Sequence, residues 1–304
     1  LYSRFFTKSI NECNKTVNLS EPFKNLFTQG MVCHESYKDQ KGNWLYPDEV
    51  KKIDTNKVIK ISDNSNVQVG PPESMSKSKK NTIDPETMID QYGADSVRWF
   101  ILSDSPPEKD VQWSDAGVSS ANKFLQRVWN LNFSISKRKE KKINENEEKK
   151  FNAEINTFVN KIDISIENFR FNVSIAFFYE VYKIFKDRFE SDLRNKILKE
   201  NIIKIMKLMM PFVPHLSNEC LELHNCKDIN SWPEIDKRNV IEEINLAIQI
   251  NGKTRDIIKI KKDLNQDKVN QIVLSDSKAT KHLENKKITK IIFVKNKIIN
   301  YIVR

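Results

Sequence analysis

Hydrophobic positions along this chain change their period twice. From 1 to 113 they come in short runs broken by Gly and Pro. "FTQGMVCH" (27–34) predicts a buried strand, and "NWLYPDEV" and "NKVIKIS" predict further extended pieces, the makeup of an α/β region. At Asp84-Pro85 the signals turn helical: Asp84 is a good N-cap, Pro85 suits the first helical position, and Gly93 can close the helix after Tyr92. A second, strongly apolar helix is predicted over "ADSVRWFIL" (94–102), ended by Ser103 and the Pro106-Pro107 pair.

From Ser114 onward three- and four-residue steps dominate. Val118, Ala121, Phe124, Leu125, Val128, Trp129 and Leu131 define the apolar stripe of a long helix that Ser114 caps. "KRKEKKINENEEKK" (137–150) reads as a solvated mixed-charge connector or helix end. Amphipathic stretches over 148–169, 172–190 and 193–209, then a helix from Pro214 to His224, predict an antiparallel helical bundle over 115–230. After "SWPEID" (231–236) the period falls to two. "NLAIQINGKTRDIIKI" alternates around Asn251-Gly252, a turn pair that tolerates φ > 0 at both positions. Two short helices near 266–285 and the strands "KITKIIFV" and "KIINYIV" complete a small α+β domain. The expected division is 1–113, 114–236 and 237–304.

Composition narrows the class. With 38% hydrophobic and 30% charged residues the chain should fold, because disorder requires fewer apolar groups than this. No apolar run reaches the roughly 18–20 residues of a membrane span, and the first residues lack a signal-peptide core, so a cytoplasmic location is expected. Cys13, Cys33, Cys220 and Cys226 form no CxxC pair, which removes a disulfide framework and a zinc ribbon. His215, Cys220, His224 and Cys226 lie close in sequence, but their spacing fits no ligand pattern, and no structural metal is expected.

Net charge is +10, and residues 252–304 hold 14 Lys or Arg against 5 Asp or Glu. A basic end domain suits an acidic polymer such as nucleic acid. Charge alone leaves a second explanation open, since a Lys-, Asn- and Ile-rich composition also puts lysine on any solvated face.

The stretch with most chemistry is "VGPPESMSKSKKNTIDPETM" (69–88). Lys77 stands between two serines in a loop directly before a capped helix, where hydroxyls, free N–H groups and an ammonium can hold phosphate. Taken alone, the loop serves equally as a plain linker.

Its context is more specific. Met75-Ser76-Lys77-Ser78 resembles the second signature of class I aminoacyl-tRNA synthetases, normally Lys-Met-Ser-Lys-Ser. Asn81, Asp84, Pro85, Tyr92, Gly93, Ala94, Asp95 and Arg98 follow where that family's pattern has them. Within the class the chain is most similar to the leucyl branch, the leucyl-tRNA synthetase family. The stretches carrying that likeness are "EPFKNLFTQGMVCHESYKDQKGNWLYPDEV" (21–50), "SPPEKDVQWSDAGVSSANKFLQRVWNL" (105–131) and "LAIQINGKTRD" (246–256). The isoleucyl, valyl and methionyl relatives share the loop and bundle without this combination.

The resemblance implies the C-terminal end of a Rossmann-type catalytic domain over 1–113, with the signature loop. It further implies an anticodon-binding-type bundle over 114–236 and a basic tRNA-binding domain over 237–304. It implies ATP, with Mg²⁺ accompanying the nucleotide, leucine and tRNA-Leu as ligands. Lys77 would be catalytic, stabilising charge that develops toward pyrophosphate. Met75, Ser76 and Ser78 would join it at ATP. Gly30 and Met31 would either border the adenosine pocket or simply pack. Lys123 and Arg127, four apart on one helix face, and Lys253 and Arg255, beside the hairpin turn, would contact tRNA, while Trp129 would pack in the core.

Two departures qualify this. Ser74 stands where the signature has its first lysine, and no His-x-Gly-His occurs, the histidines being His34, His215, His224 and His282. With Leu1 in place of an initiator methionine, the expectation is a C-terminal segment of a longer enzyme or one chain of a split one, inactive alone. The alternative expectations are a tRNA-binding module without catalysis, or a synthetase for isoleucine, valine or methionine.

Overall fold

The computed structural model describes residues 1–14, 19–54, 57–141, 144–234, 243–283 and 286–303. The chain forms two compact units, one of 1–139, 162–190 and 202–232, the other of 140–161, 191–201 and 233–304. No helix among the described residues is long and apolar enough to cross a membrane.

The first unit opens with α1 (Tyr2–Cys13), an addition to the elements the sequence predicts. Arg4 and Lys8 on one side pair with Glu21, while Tyr2, Phe5, Phe6 and Ile10 stay exposed. Seven short strands follow: β1 (Val32–His34), β2 (Tyr37–Lys38), β3 (Trp44–Leu45), β4 (Val50–Lys52), β5 (Val58–Lys60), β6 (Gln68–Val69) and β7 (Glu73–Ser74). β1 lies between antiparallel β7 and parallel β8 (Val111–Gln112). β2, β3 and β6 form a second small sheet, and Tyr37 and Leu45 pack with Val58 in a local core.

The strand expected over 27–34 narrows to Val32–His34. Phe27 and Met31 are exposed rather than buried. Here the backbone takes partners from 107–111: Gly30 N–H donates to Pro107 O at 2.8 Å, and Val111 N–H donates to Met31 O at 2.9 Å. A Cβ on Gly30 would lie 2.1 Å from Lys109 O, so the close approach itself demands glycine.

Helix limits follow the local chemistry. α2 (Pro85–Tyr92) starts where the Asp84 side chain accepts from Glu86 N–H at 3.2 Å and stops at Gly93, whose φ is +80°. α3 (Ala94–Asp104) runs two residues beyond its expected end. α4 (Asp115–Lys137) is capped by Ser114, whose hydroxyl accepts from Gly117 N–H at 3.2 Å. α5 (Glu145–Glu167), α6 (Phe171–Arg188), α7 (Asn195–Met209) and α8 (Pro214–Leu223) follow, residues 145–161 and 195–201 of them belonging to the second unit.

Trp99 of α3 is the hub of the first unit's core. It is fully buried, lies 5.3 Å from the Phe124 ring of α4 and 5.9 Å from the Phe178 ring of α6, and donates from Nε1 to Tyr179 OH at 3.2 Å. An indole with its N–H satisfied adds both apolar area and direction to a helix junction. Arg98 donates to Phe212 O at 3.0 Å, and Asp95 accepts from Leu216 N–H at 2.7 Å, so α3 also meets the start of α8. Trp129, placed in the core by the sequence reading, is half-buried.

In the second unit, 145–161 of α5 and 195–201 of α7 are linked by polar contacts. Glu148, nearly fully buried, receives Arg194 through Nε and Nη2, the shortest contact being 2.6 Å, and also through Arg194 N–H. The expected boundary at 236/237 lies outside the described residues. Beyond it, β9 (Glu243–Ile250) and β10 (Lys253–Lys261) form the predicted hairpin, with Asn251 at φ +48° and Gly252 at +79°. α9 (Gln266–Asp276) and a 3₁₀ turn (Lys278–His282) precede β11 (Ile288–Val294) and β12 (Ile298–Val303). The sheet order is β10-β9-β12-β11, with β12 parallel to β9. Leu246, Ile248, Ile299 and Tyr301 are buried on one sheet face against Val269 and Val273 of α9.

Candidate functional site

The site grows from β7. Ser74 pairs with Cys33 across the ladder, and Met75 N–H continues it by donating to Val32 O at 3.2 Å. Ser76 is still extended. The chain then turns through a 3₁₀ segment, Lys77–Lys79, and leaves by Lys80 in the left-handed region at φ +53°. Asn81, completely buried, ties both ends together. Its Oδ1 accepts from Ser76 N–H at 2.8 Å, and its Nδ2 donates to His34 O at 3.2 Å, with Glu73 O and Ser74 O also in reach. The short turn is thus fixed at its base and projects from it.

Three lysines crowd this turn and have different surroundings. Lys79 pairs with Glu73, and Lys80 lies 5.0 Å from the centre of the Tyr46 ring. Lys77 is exposed and makes no ion pair or ring contact among the described residues. An ammonium already bound to carboxylate has little left for an incoming anion, so Lys79 is engaged, while Lys77 and, beside the Tyr46 ring, Lys80 carry no carboxylate partner among the described residues. Ser76 and Ser78 hold their hydroxyls 3.3 Å apart beside Lys77. The Lys79 ammonium keeps the Glu73 carboxyl below its ordinary range, and Ser36 adds a second donor. Burial lowers the neighbouring His34, which favours its neutral form. An open cleft of about 730 Å³ adjoins the turn, lined by Lys77, Tyr46, Asp48, Asp84 and Asp115 among others.

Ser74, where the signature has a lysine, is a strand residue of the ladder. Met75 and Ser76 are half-buried and Ser78 exposed, so these three and Lys77 form one local group. Gly30 and Met31 lie on the neighbouring strand's approach, with Met31 N–H held by Asp110 Oδ1 at 2.8 Å. Their close contacts are with 107–111. Lys123 and Arg127 are exposed on α4, and the Arg127 guanidinium lies 5.8 Å from the Phe124 ring. Lys253 and Arg255 are exposed on β10, Arg255 as the extra residue of a β-bulge between Thr254 and Asp256. Sequence reasoning did not assign a task to Asn81, although its place between the loop and Asp84 was the available signal.

Residues 64–114 match the class I tRNA synthetases (I, L, M and V), and residues 148–271 match the anticodon-binding domain of tRNA ligase. Over its whole length the chain is similar to leucine–tRNA ligases. The enzyme of Zymomonas mobilis is 37% identical over 99% of this chain and 35% of its own length. That of Rickettsia massiliae is 40% identical over 100% of this chain and 36% of its own. The leucyl-tRNA synthetase of Agrobacterium radiobacter K84, solved as a ternary complex with tRNA and LeuAMS, superposes with a TM-score of 0.68 at 25% identity. That match covers all of this chain and 35% of the other. The chain therefore spans about a third of the length of the curated relatives it matches.

Proposed function

We propose that this chain is the C-terminal portion of a leucine–tRNA ligase and supplies the mobile side of its ATP site together with its tRNA-binding regions. The reaction would have two steps. Leucine's carboxylate attacks the α-phosphate of ATP and pyrophosphate leaves, and the leucyl group then passes from AMP to the 3′ end of tRNA-Leu. One observation carries this reading: Lys77, exposed and without an ion pair or ring contact among the described residues, sits in a turn clamped by buried Asn81, within a sequence similar to leucine–tRNA ligase throughout. Such a cation, preorganised beside two hydroxyls, stabilises charge that appears only as pyrophosphate departs. Met75, Ser76 and Ser78 shape the same contact, Mg²⁺ accompanies the nucleotide, and Gly30 and Met31 border the adenosine.

The remaining regions serve tRNA. Lys123 and Arg127 present two cations one helical turn apart, suited to backbone phosphates. Lys253 and Arg255 do the same beside the hairpin turn of the basic domain. The functional division we propose is 1–113, 114–236 and 237–304. A second reading is a tRNA-binding module without catalysis, which the match of residues 148–271 to the anticodon-binding domain of tRNA ligase also fits.

Leucine-dependent pyrophosphate exchange tests the first reading. In the enzyme completed by the segment bearing His-x-Gly-His, Lys77→Ala is expected to slow exchange by about 10²–10³-fold, the cost of losing one such donor. Exchange near the parent rate means that Lys77 does not have this role.

A further inference from the structure

Lysine is an awkward occupant of position 80. The backbone there is left-handed, with φ +53° and ψ +20°, a region in which a Cβ is crowded and which Gly and Asn enter more readily than other residues. A residue held in such a conformation against its preference points to a task for its side chain. The turn itself does not need the lysine. Lys80 N–H donates to Lys77 O at 3.3 Å, which any residue but proline can do, and the clamp is supplied by Asn81.

The half-buried Lys80 side chain places its ammonium 5.0 Å from the centre of the Tyr46 ring. That ring is carried on a fixed piece of chain. Leu45, just before it, is buried with Tyr37 and Val58, and Tyr46 N–H donates to Glu49 Oε2 at 2.7 Å. Tyr46 and Lys77 line the same cleft of about 730 Å³. The Lys80 ammonium therefore rests against a wall of the cleft that Lys77 also lines.

Charge shows what this second ammonium is suited to. Asp48, Asp84 and Asp115 line the cleft as well, and they oppose an entering anion. A polyphosphate carries several negative charges, and one lysine is a poor match for it. Lys79 is bound to Glu73, and Ser74, exposed on β7, brings a hydroxyl where the signature loop has a lysine. Lys77 and Lys80 are the cations of the turn that remain. A cation over a ring near the surface is held weakly, whereas a charge-assisted hydrogen bond to a phosphate oxygen is among the strong contacts. The ring thus keeps the ammonium at the cleft without neutralising it.

We propose that Lys80 is a second phosphate-binding cation of this cleft, its ammonium passing from the Tyr46 ring to the polyphosphate of the nucleotide and supplying a charge that Ser74 does not. This rests on the reading of the cleft as an ATP site, and it adds to that site both a residue and its resting place. Lys80 grips bound nucleotide throughout the reaction, whereas Lys77 meets charge that appears as pyrophosphate departs.

The test uses the enzyme completed by the segment bearing His-x-Gly-His and follows leucine-dependent pyrophosphate exchange against ATP and against leucine. Lys80→Asn removes the charge but suits the left-handed backbone, so its Tm should equal or exceed that of the parent. It is expected to raise KM for ATP about tenfold with KM for leucine unchanged, the effect of losing one charge-assisted contact made equally in ground and transition states. Lys80→Arg keeps a cation that can lie on a ring and hold phosphate, and its KM for ATP should stay within about twofold of the parent. If Lys80→Asn has the parent's KM for ATP while Lys77→Ala slows exchange severely, Lys80 does not hold the phosphates, and the proposal falls while the ATP reading stands. Parent-like exchange in both Lys80→Asn and Lys77→Ala overturns both. A rise in KM for ATP and leucine together, or one that Lys80→Arg shares in full, assigns Lys80 to the shape of the turn and also overturns the proposal.

Discussion

Asp95 Oδ2 accepts the backbone N–H of Leu216 at 2.7 Å, joining residues 121 positions apart. Leu216 lies in the first turn of α8, where backbone donors have no partner within the helix. The carboxylate of α3 supplies one and also faces the positive end of the helix dipole. Arg98, one turn further along α3, donates to the carbonyl of Phe212 just before that helix. Opposite charges on one helix thus hold successive parts of the same distant corner.

Asp95→Ala is expected to cost about 1–3 kcal/mol, because it leaves a partly buried helix N–H without its acceptor. Denaturant unfolding of the two chains measures this. Asp95→Asn retains an oxygen acceptor and should lose less. Equal midpoints for Asp95→Ala and the parent would show that water replaces the contact.

Gly30→Ala meets a carbonyl oxygen 2.1 Å from the new Cβ, and the obstacle is backbone, which cannot swing aside. A loss of about 1–3 kcal/mol is expected from the displaced 107–110 segment. Gly42→Ala provides the contrast: its added methyl meets nothing within 4 Å, so only its φ of +85° resists. Calorimetry should therefore show the larger fall in Tm for Gly30→Ala.

Asn81→Ala removes the acceptor for Ser76 N–H and the donor for His34 O at once. Faster hydrogen exchange at Ser76 is the expected sign, with roughly 1–3 kcal/mol less protection. The same exchange rate in both proteins would mean that the strand pairing alone holds the turn.

The Arg194 hydrogen bonds keep the Glu148 carboxyl below its ordinary range. The fold therefore favours the ionised form. The stability this adds is present above the unfolded value of about 4.3 and drains away as pH falls through the lower, folded one. Glu148→Gln should lower Tm by about 2–4 °C at pH 7, and the difference from the parent should shrink on acidification. A difference that grows toward low pH contradicts the pairing.

Where structure depends on near neighbours, the sequence was readable. Asp84, Pro85 and Gly93 delimit α2, Ser114 starts α4, and Asn251-Gly252 makes its turn, because each acts within three or four residues of itself. Reading failed where the deciding partner is remote. "FTQGM" has strand-like side chains, but segment 107–111 takes its hydrogen bonds, and Phe27 and Met31 end up exposed. Asp95 and Arg98 were visible as pattern positions, yet their partners lie more than a hundred residues away. In the site, Lys77 was legible from its motif. What separates it from Lys79 and Lys80 was not, since that depends on Glu73 and Tyr46 being brought to the other two.

The clamp at Asn81 also sets a length. Two residues, Met75 and Ser76, separate the ladder at Ser74 from Lys77, and the three backbone steps, fully extended, span about 10–11 Å. While the ladder and the Asn81 hydrogen bonds hold, the Lys77 backbone can travel no further than that tether from β7. The turn can sweep an arc, but it cannot search, and its substrate's phosphates must be delivered within that radius.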